Sequence, residues 1–78
     1  MRITIRSYSI FSDFLGNEVR IELDESITVG ELLDYLKNTY SLPSKPEPIV
    51  LINGEIASLD QQLRDGDTVY IAPPFSGG

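Results

Sequence analysis

Two groups of residues in this chain invite chemistry: paired carboxylates, and the segment Ala72-Pro73-Pro74-Phe75-Ser76-Gly77-Gly78. With no cysteine and no histidine, thiolate nucleophiles, disulfides, the common zinc sites and the usual near-neutral general base are all excluded. The carboxylate pairs Asp24-Glu25 and Asp65/Asp67 stand in turn-forming contexts and read as turn and cap groups rather than an acid-base couple. No nucleophile-base pair is present, so nothing supports an independent enzyme, and no metal site is expected. The remaining candidate is the terminal segment. Pro73 and Pro74 stiffen its root toward an extended conformation, Phe75 adds one aromatic ring, and Gly77 and Gly78 carry no Cβ.

These residues need a body to position them, and 78 residues supply one small domain. A domain of this size buries only roughly 60% of the surface its unfolded chain exposes, which leaves little room for an internal pocket. Twelve acidic residues against six basic ones give a net charge of -6. Phosphate backbones repel such a chain, and Arg2, Arg6, Arg20, Lys37, Lys45 and Arg64 form no basic patch along it; nucleic acid is not an expected partner. The acidity serves solubility or attraction to a basic partner. No apolar run approaches the roughly 20 residues of a membrane span, and the first residues do not form a signal peptide. The expected location is cytoplasmic.

Arg2-Ile3-Thr4-Ile5-Arg6 and Glu18-Val19-Arg20-Ile21-Glu22-Leu23 alternate polar and apolar residues, as half-buried strands do. The loop Ser12–Asn17 between them supplies turn chemistry, with Tyr8, Phe11 and Phe14 packing around it, so the two strands should pair antiparallel. Thr28 followed by Glu31 forms a capping-box pattern. Val29, Leu32, Leu33, Leu36 and Tyr40 then fall at helical spacing, and Pro43 stops the helix. Ser41–Pro48 holds three prolines in eight residues and reads as a stiff connector. The run Ile49-Val50-Leu51-Ile52 reaches Asn53-Gly54, a strong hairpin signal, and a short strand leaves through Glu55-Ile56-Ala57. Asp65-Gly66-Asp67 turns into the last strand, Thr68–Ala72, which Pro73 ends because it cannot donate a ladder hydrogen bond.

One helix covers one face of a sheet and leaves the other partly open. The expected core is Ile3, Ile5, Val19, Ile21, Leu32, Leu33, Leu36, Val69 and Ile71, with the first and last strands adjacent and parallel at the centre. Thr68 and Tyr70 then point to the open face, joined by Ile49 and Leu51, while Val50 and Ile52 point inward. Leu51, Tyr70 and Phe75 would form a docking surface leading into the tail.

The segments "ITVGELLDYL", "INGEIA" and "LRDGDTVYIAPPFSGG" make the whole chain resemble the ubiquitin-like sulfur carriers of the MoaD and ThiS family, closest to the small subunit of molybdopterin synthase. At average glycine usage two terminal glycines arise by chance in roughly 0.5% of chains, and here they follow the full element order. The resemblance implies an α+β, β-grasp (ubiquitin-like) fold: a mixed four- to five-stranded sheet with one main helix across one face. It divides the chain into a domain, 1–72, and a reactive tail, 73–78.

It also implies the chemistry. The Gly78 carboxylate would be adenylated by an E1-like enzyme, and sulfur from a donor system would displace AMP to leave a thiocarboxylate. In molybdopterin synthase that sulfur goes to the pterin precursor in the large subunit, within a heterotetramer holding two copies of each chain. ATP would be used by the activating enzyme, and no cofactor is bound by this chain. Gly77 would allow entry to a narrow channel, with Pro73, Pro74, Phe75, Ser76, Tyr70 and Leu51 contacting partners. Six tail residues reach on the order of 20 Å. The alternatives are a ubiquitin-like protein modifier or tRNA-thiolation carrier using the same terminus, and a β-grasp interaction module with an inert tail.

Overall fold

The computed structural model describes residues 1–74. Strand β1 (Arg2–Ser7) leads through a 3-10 turn (Ser9–Phe11) and a four-residue helix α1 (Ser12–Leu15) into β2 (Glu18–Glu22). Helix α2 (Val29–Tyr40) follows, then β3 (Ile49–Ile52), β4 (Glu55–Ile56) and β5 (Thr68–Ala72). The five strands form one mixed sheet in the order β2-β1-β5-β3-β4. β1 and β5 run parallel, and every other pair is antiparallel. The parallel pairing of first and last strands and the antiparallel β1/β2 pair are as the sequence predicts.

Alternation along the strands divides the two faces. Ile3, Ile5, Ile21, Val50, Ile52, Val69 and Ile71 are buried with the helix residues Val29, Leu32, Leu33 and Leu36. Ile49 and Leu51 remain half-buried on the opposite face, together with Thr68 and Tyr70. Ser7 is the one buried polar residue named among the described residues. Its hydroxyl donates to the Gly16 carbonyl, so its burial carries no unsatisfied donor.

The predicted capping box forms at the start of α2. The Glu31 amide donates to Thr28 Oγ1 at 3.2 Å, and the Thr28 amide donates to Glu31 Oε1 at 2.9 Å. Two further amides of the first turn find partners outside the helix: Val29 donates to the Gln61 carbonyl at 2.9 Å and Gly30 to that of Leu59 at 2.8 Å. The helix is thus sewn to the 59–63 segment, where Leu63 is buried and its amide donates to Ile27. Gly30 allows this approach, since a Cβ there would stand 3.3 Å from the Leu59 carbonyl oxygen. The helix ends at Ser41, which adopts a left-handed conformation (φ 59°) and turns Leu42 into the core.

Several details differ from the sequence reading. Ser12–Asn17 is not simply a turn: Ser12–Leu15 is helical, with Phe11 and Leu15 both buried. Phe11 fills the core as a full member, whereas Phe14 and Tyr8 stay exposed. Val19 is only half-buried against the core, because β2 is an edge strand with cover on one side. The short strand closes at Ile56, and the Ala57 amide still donates to Val50. Phe11 and Leu15 join the core from helical turns too short to show a period, and Leu42 and Leu63 from irregular segments. No helix among the described residues is long and apolar enough to cross a membrane.

Leu36 is fully buried at the centre of this core. Leu36→Ala is expected to cost about 2–5 kcal/mol, read from the urea unfolding midpoint; a cost under about 0.5 kcal/mol would contradict its placement. Thr28→Ala removes the acceptor for the Glu31 amide and is expected to cost about 0.5–2 kcal/mol in the same measurement.

Candidate docking face and tail root

The tail leaves from the most constrained part of the sheet. β5 is hydrogen-bonded on both sides, with Ile71 opposite Ser7 of β1 and Val50 of β3. Where β1 ends, the Tyr8 amide donates to the Ile71 carbonyl at 3.1 Å, tying the following turn to the end of β5. Ala72 pairs with Ile49; beyond it Pro73 is half-buried and Pro74 exposed. Phe75, Ser76, Gly77 and Gly78, which the sequence marks as anchor, contact, channel entry and reactive end, lie outside the described residues.

The other end of β5 is held by the carboxylates of the Asp65-Gly66-Asp67 turn. Asp65 Oδ1 accepts from the Arg2 amide at 2.6 Å. Asp67 Oδ2 accepts from the Arg64 amide at 2.8 Å, and its Oδ1 accepts from the Asn53 side chain at 3.1 Å. The Asn53 side-chain Oδ1 in turn accepts from the Thr68 amide at 3.1 Å, coupling the β3–β4 hairpin to the start of β5. Asn53 and Gly54 both take positive φ (51° and 93°), as the tight hairpin requires. These carboxylates are structural, in keeping with their turn-forming sequence. Among the described residues no group of three or more acidic, histidine or cysteine side chains could hold a metal ion.

The two docking residues expected from the sequence, Leu51 and Tyr70, are direct cross-strand partners. Following the register outward, Tyr70 pairs with Arg6, Arg6 with Glu18, and Leu51 with Ile56. Glu18, Arg6, Tyr70, Leu51 and Ile56 therefore form one row crossing all five strands, about 19 Å long at the usual strand spacing. The row changes character along its length, from an ion pair through an aromatic ring to two aliphatic side chains. Ile56 is 78% exposed at the aliphatic end. Tyr8, 44% exposed, stacks on Tyr70 with ring centroids 6.3 Å apart and planes 11° from parallel.

At the polar end, Arg6 Nη1 donates to Glu18 Oε1 at 2.9 Å. Hydrogen bonding with Tyr8 is the main cause pushing the Arg6 guanidinium above its ordinary range; like any arginine it is charged at working pH without that shift. Arg20 approaches Glu18 Oε2 at 3.3 Å, and Arg2 donates to Glu22 at 2.8 Å.

Arg6, Tyr8 and Ile56 are functional candidates that the composition of the tail does not point to. Their signals are nonetheless present in the sequence. Period-two alternation continued from Arg2 puts Arg6 and Tyr8 on the Thr4 face. A two-residue Asn-Gly hairpin sets Ile56 opposite Leu51.

With the geometry in hand, three comparisons bear on its meaning. The family model described as ThiS family matches residues 8–78. The molybdopterin synthase sulfur carrier subunit of Drosophila melanogaster is 36% identical over 62 residues, covering 74% of this chain and 69% of its own. Small archaeal modifier protein 3 of Haloferax volcanii is 32% identical over an alignment that spans 100% of both chains. Among solved structures, a putative molybdopterin converting factor, subunit 1, from Pyrococcus furiosus superposes with a TM-score of 0.80 at 25% identity, covering 96% of this chain and 99% of that one. The sheet order, the capped helix and these matches agree: this chain belongs to the ThiS family of ubiquitin-like sulfur carriers.

Proposed function

We propose that this chain is the sulfur-carrier subunit of a molybdopterin synthase, acting through the carboxylate of Gly78. The observation that carries the reading is the position of the tail root. Pro73 and Pro74 follow the central strand β5, and the adjoining open face carries the row of Tyr70, Leu51 and Ile56, with Tyr8 stacked on Tyr70. The name of the fly relative and the extension of the family match to residue 78 support it.

A carboxylate resists attack because it is charged and lacks a leaving group. An E1-like enzyme supplies one: a carboxylate oxygen attacks the α-phosphate of ATP, pyrophosphate leaves, and an acyl adenylate forms. Hydrosulfide released by a sulfur donor then attacks the acyl carbon, AMP departs and the thioacid loses its proton, leaving a thiocarboxylate on Gly78. Its sulfur is nucleophilic and passes to the pterin precursor in a large-subunit partner, in a heterotetramer with two copies of each chain. In this scheme ATP belongs to the activating enzyme. The carrier contributes a stiff proline root, which lowers the entropy lost on threading, and a tip without Cβ atoms, which fits a narrow channel. Phe75 and Ser76 contact the partner between root and tip, and Gly77 opens the channel entry.

A second reading has its own support in the end-to-end match to small archaeal modifier protein 3. A modifier uses the same activated terminus but delivers the acyl group itself to a lysine amine.

Incubation with the activating enzyme of the same organism, ATP and a sulfur donor is expected to exchange one carboxyl oxygen for sulfur, seen by intact-mass spectrometry. Deletion of Gly78, or addition of one residue beyond it, should abolish the exchange, and Gly77→Val should impair it. A normal yield from the Gly78 deletion rules the proposal out. Supplying the thiocarboxylated protein with pterin precursor and large subunit should give molybdopterin, whereas lysine conjugates would favour the modifier reading.

Docking through the open face makes a separate prediction. Leu51→Glu and Tyr70→Ala should each weaken binding to the activating enzyme by more than about 1 kcal/mol in calorimetry, with the thermal transition of the domain retained. Unchanged affinity in both variants would exclude this face.

A further inference from the structure

Charge is not spread evenly over this molecule. Three of its six cationic side chains, Arg2, Arg6 and Arg20, stand on the open face of β1 and β2 with only two carboxylates, Glu18 and Glu22. Of the other ten acidic residues, Asp65 stands against the start of β1, where it accepts from the Arg2 amide, and the rest lie outside β1 and β2. The excess of positive charge is therefore confined to the Glu18 end of the open face, on a protein with a net charge of -6. Glu18 must serve both Arg6 and Arg20, so the guanidinium groups there outnumber their carboxylates.

Arg6 occupies the decisive place at this end. It sits in register between Glu18 and Tyr70, where the charged part of the row meets the aromatic part. The Glu18 contact uses Nη1. A guanidinium has five N–H donors, so others remain for a second carboxylate in the fork geometry that arginine favours. The side chain is 44% exposed, reachable from outside while braced by its neighbours.

We infer that Arg6 is a specificity-determining residue of the docking face, taking a carboxylate on a partner protein whose apolar patch covers Tyr70, Leu51 and Ile56. The inference rests on the carrier reading above and adds the chemistry of the partner: apolar at its centre, acidic where it meets β1 and β2. An apolar patch alone permits several rotations of one surface on another. A charged contact at one end of the row selects a single rotation, and with it the direction in which the tail leaves β5.

The test compares four proteins as substrates of the activating enzyme of the same organism, scored by thiocarboxylate formation: wild type, Leu51→Glu, Arg6→Gln, and the double variant Arg6→Glu with Glu18→Arg. The double variant keeps an ion pair between β1 and β2 but moves the positive charge one strand away. Arg6→Gln keeps a hydrogen-bonding side chain of similar reach should the double variant fail to fold. Arg6→Gln is expected to raise KM for the carrier about tenfold with kcat within about twofold of wild type, and to flatten the rise of KM with salt. The double variant should raise KM at least as much, with its thermal transition retained.

Restoration of wild-type KM by the double variant would show that the pair only braces the strands, and would overturn the inference. So would a wild-type KM and salt response in Arg6→Gln alongside a raised KM in Leu51→Glu, which leaves the carrier function standing. Absence of sulfur transfer to the wild-type chain overturns both.

Discussion

Parallel pairing between β1 and β5 is the constraint on which the rest of the molecule depends. It joins segments 64 residues apart in sequence, at a real cost in loop-closure entropy. Ile5, Val69 and Ile71, all fully buried, offset that cost through the apolar area they bring together with α2. Everything that could act on a partner is placed by this pairing. It sets Arg6 beside Tyr70, brings the Tyr8 amide to Ile71, and roots Pro73 and Pro74 on a strand hydrogen-bonded on both sides.

The candidate site is consequently a product of strand register rather than of a cavity. Five side chains separated widely in sequence align because each pair is fixed by backbone hydrogen bonds. A slip of one residue in any pairing would send its side chain to the core face. The Asp65-Gly66-Asp67 turn and the Asn53 amide protect against such a slip by anchoring the start of β5 to β1 and to the β3–β4 hairpin. The contacts that stabilise β5 thus also fix where Pro73 and Pro74 leave the sheet.

Most of this was legible in the sequence wherever a period or a turn signal existed. The alternation in Arg2–Arg6 and Glu18–Leu23, the Thr28/Glu31 pair and the Asn53-Gly54 turn each specify local geometry, and all appear as read. In the all-apolar run Ile49–Ile52 the period separates two pairs without saying which is buried; the expected pair, Val50 and Ile52, is the one found inward. What escaped lies in segments whose conformation is decided by tertiary contact. Leu63 is buried by irregular backbone that no periodicity marks, and the 3-10 turn that buries Phe11 and α1 are too short to have a pattern of their own. The rest of the open-face row escaped for another reason. Each strand discloses which residues share its face, but only the pairing of all five shows that Arg6, Tyr8 and Ile56 join Tyr70 and Leu51.

The two borders of the sheet bear on how the protein keeps to itself. An open strand border is a template for adding further strands, and through them for filaments and aggregates. On one side β4 is only two residues long and offers little to copy. On the other, β2 carries Glu18, Arg20 and Glu22. A second molecule laid antiparallel against it about Arg20 would set arginine against arginine and glutamate against glutamate. Strand addition in that register is thus opposed at the β2 border and finds only two residues to copy at the β4 border, so lengthening the sheet is disfavoured from either side.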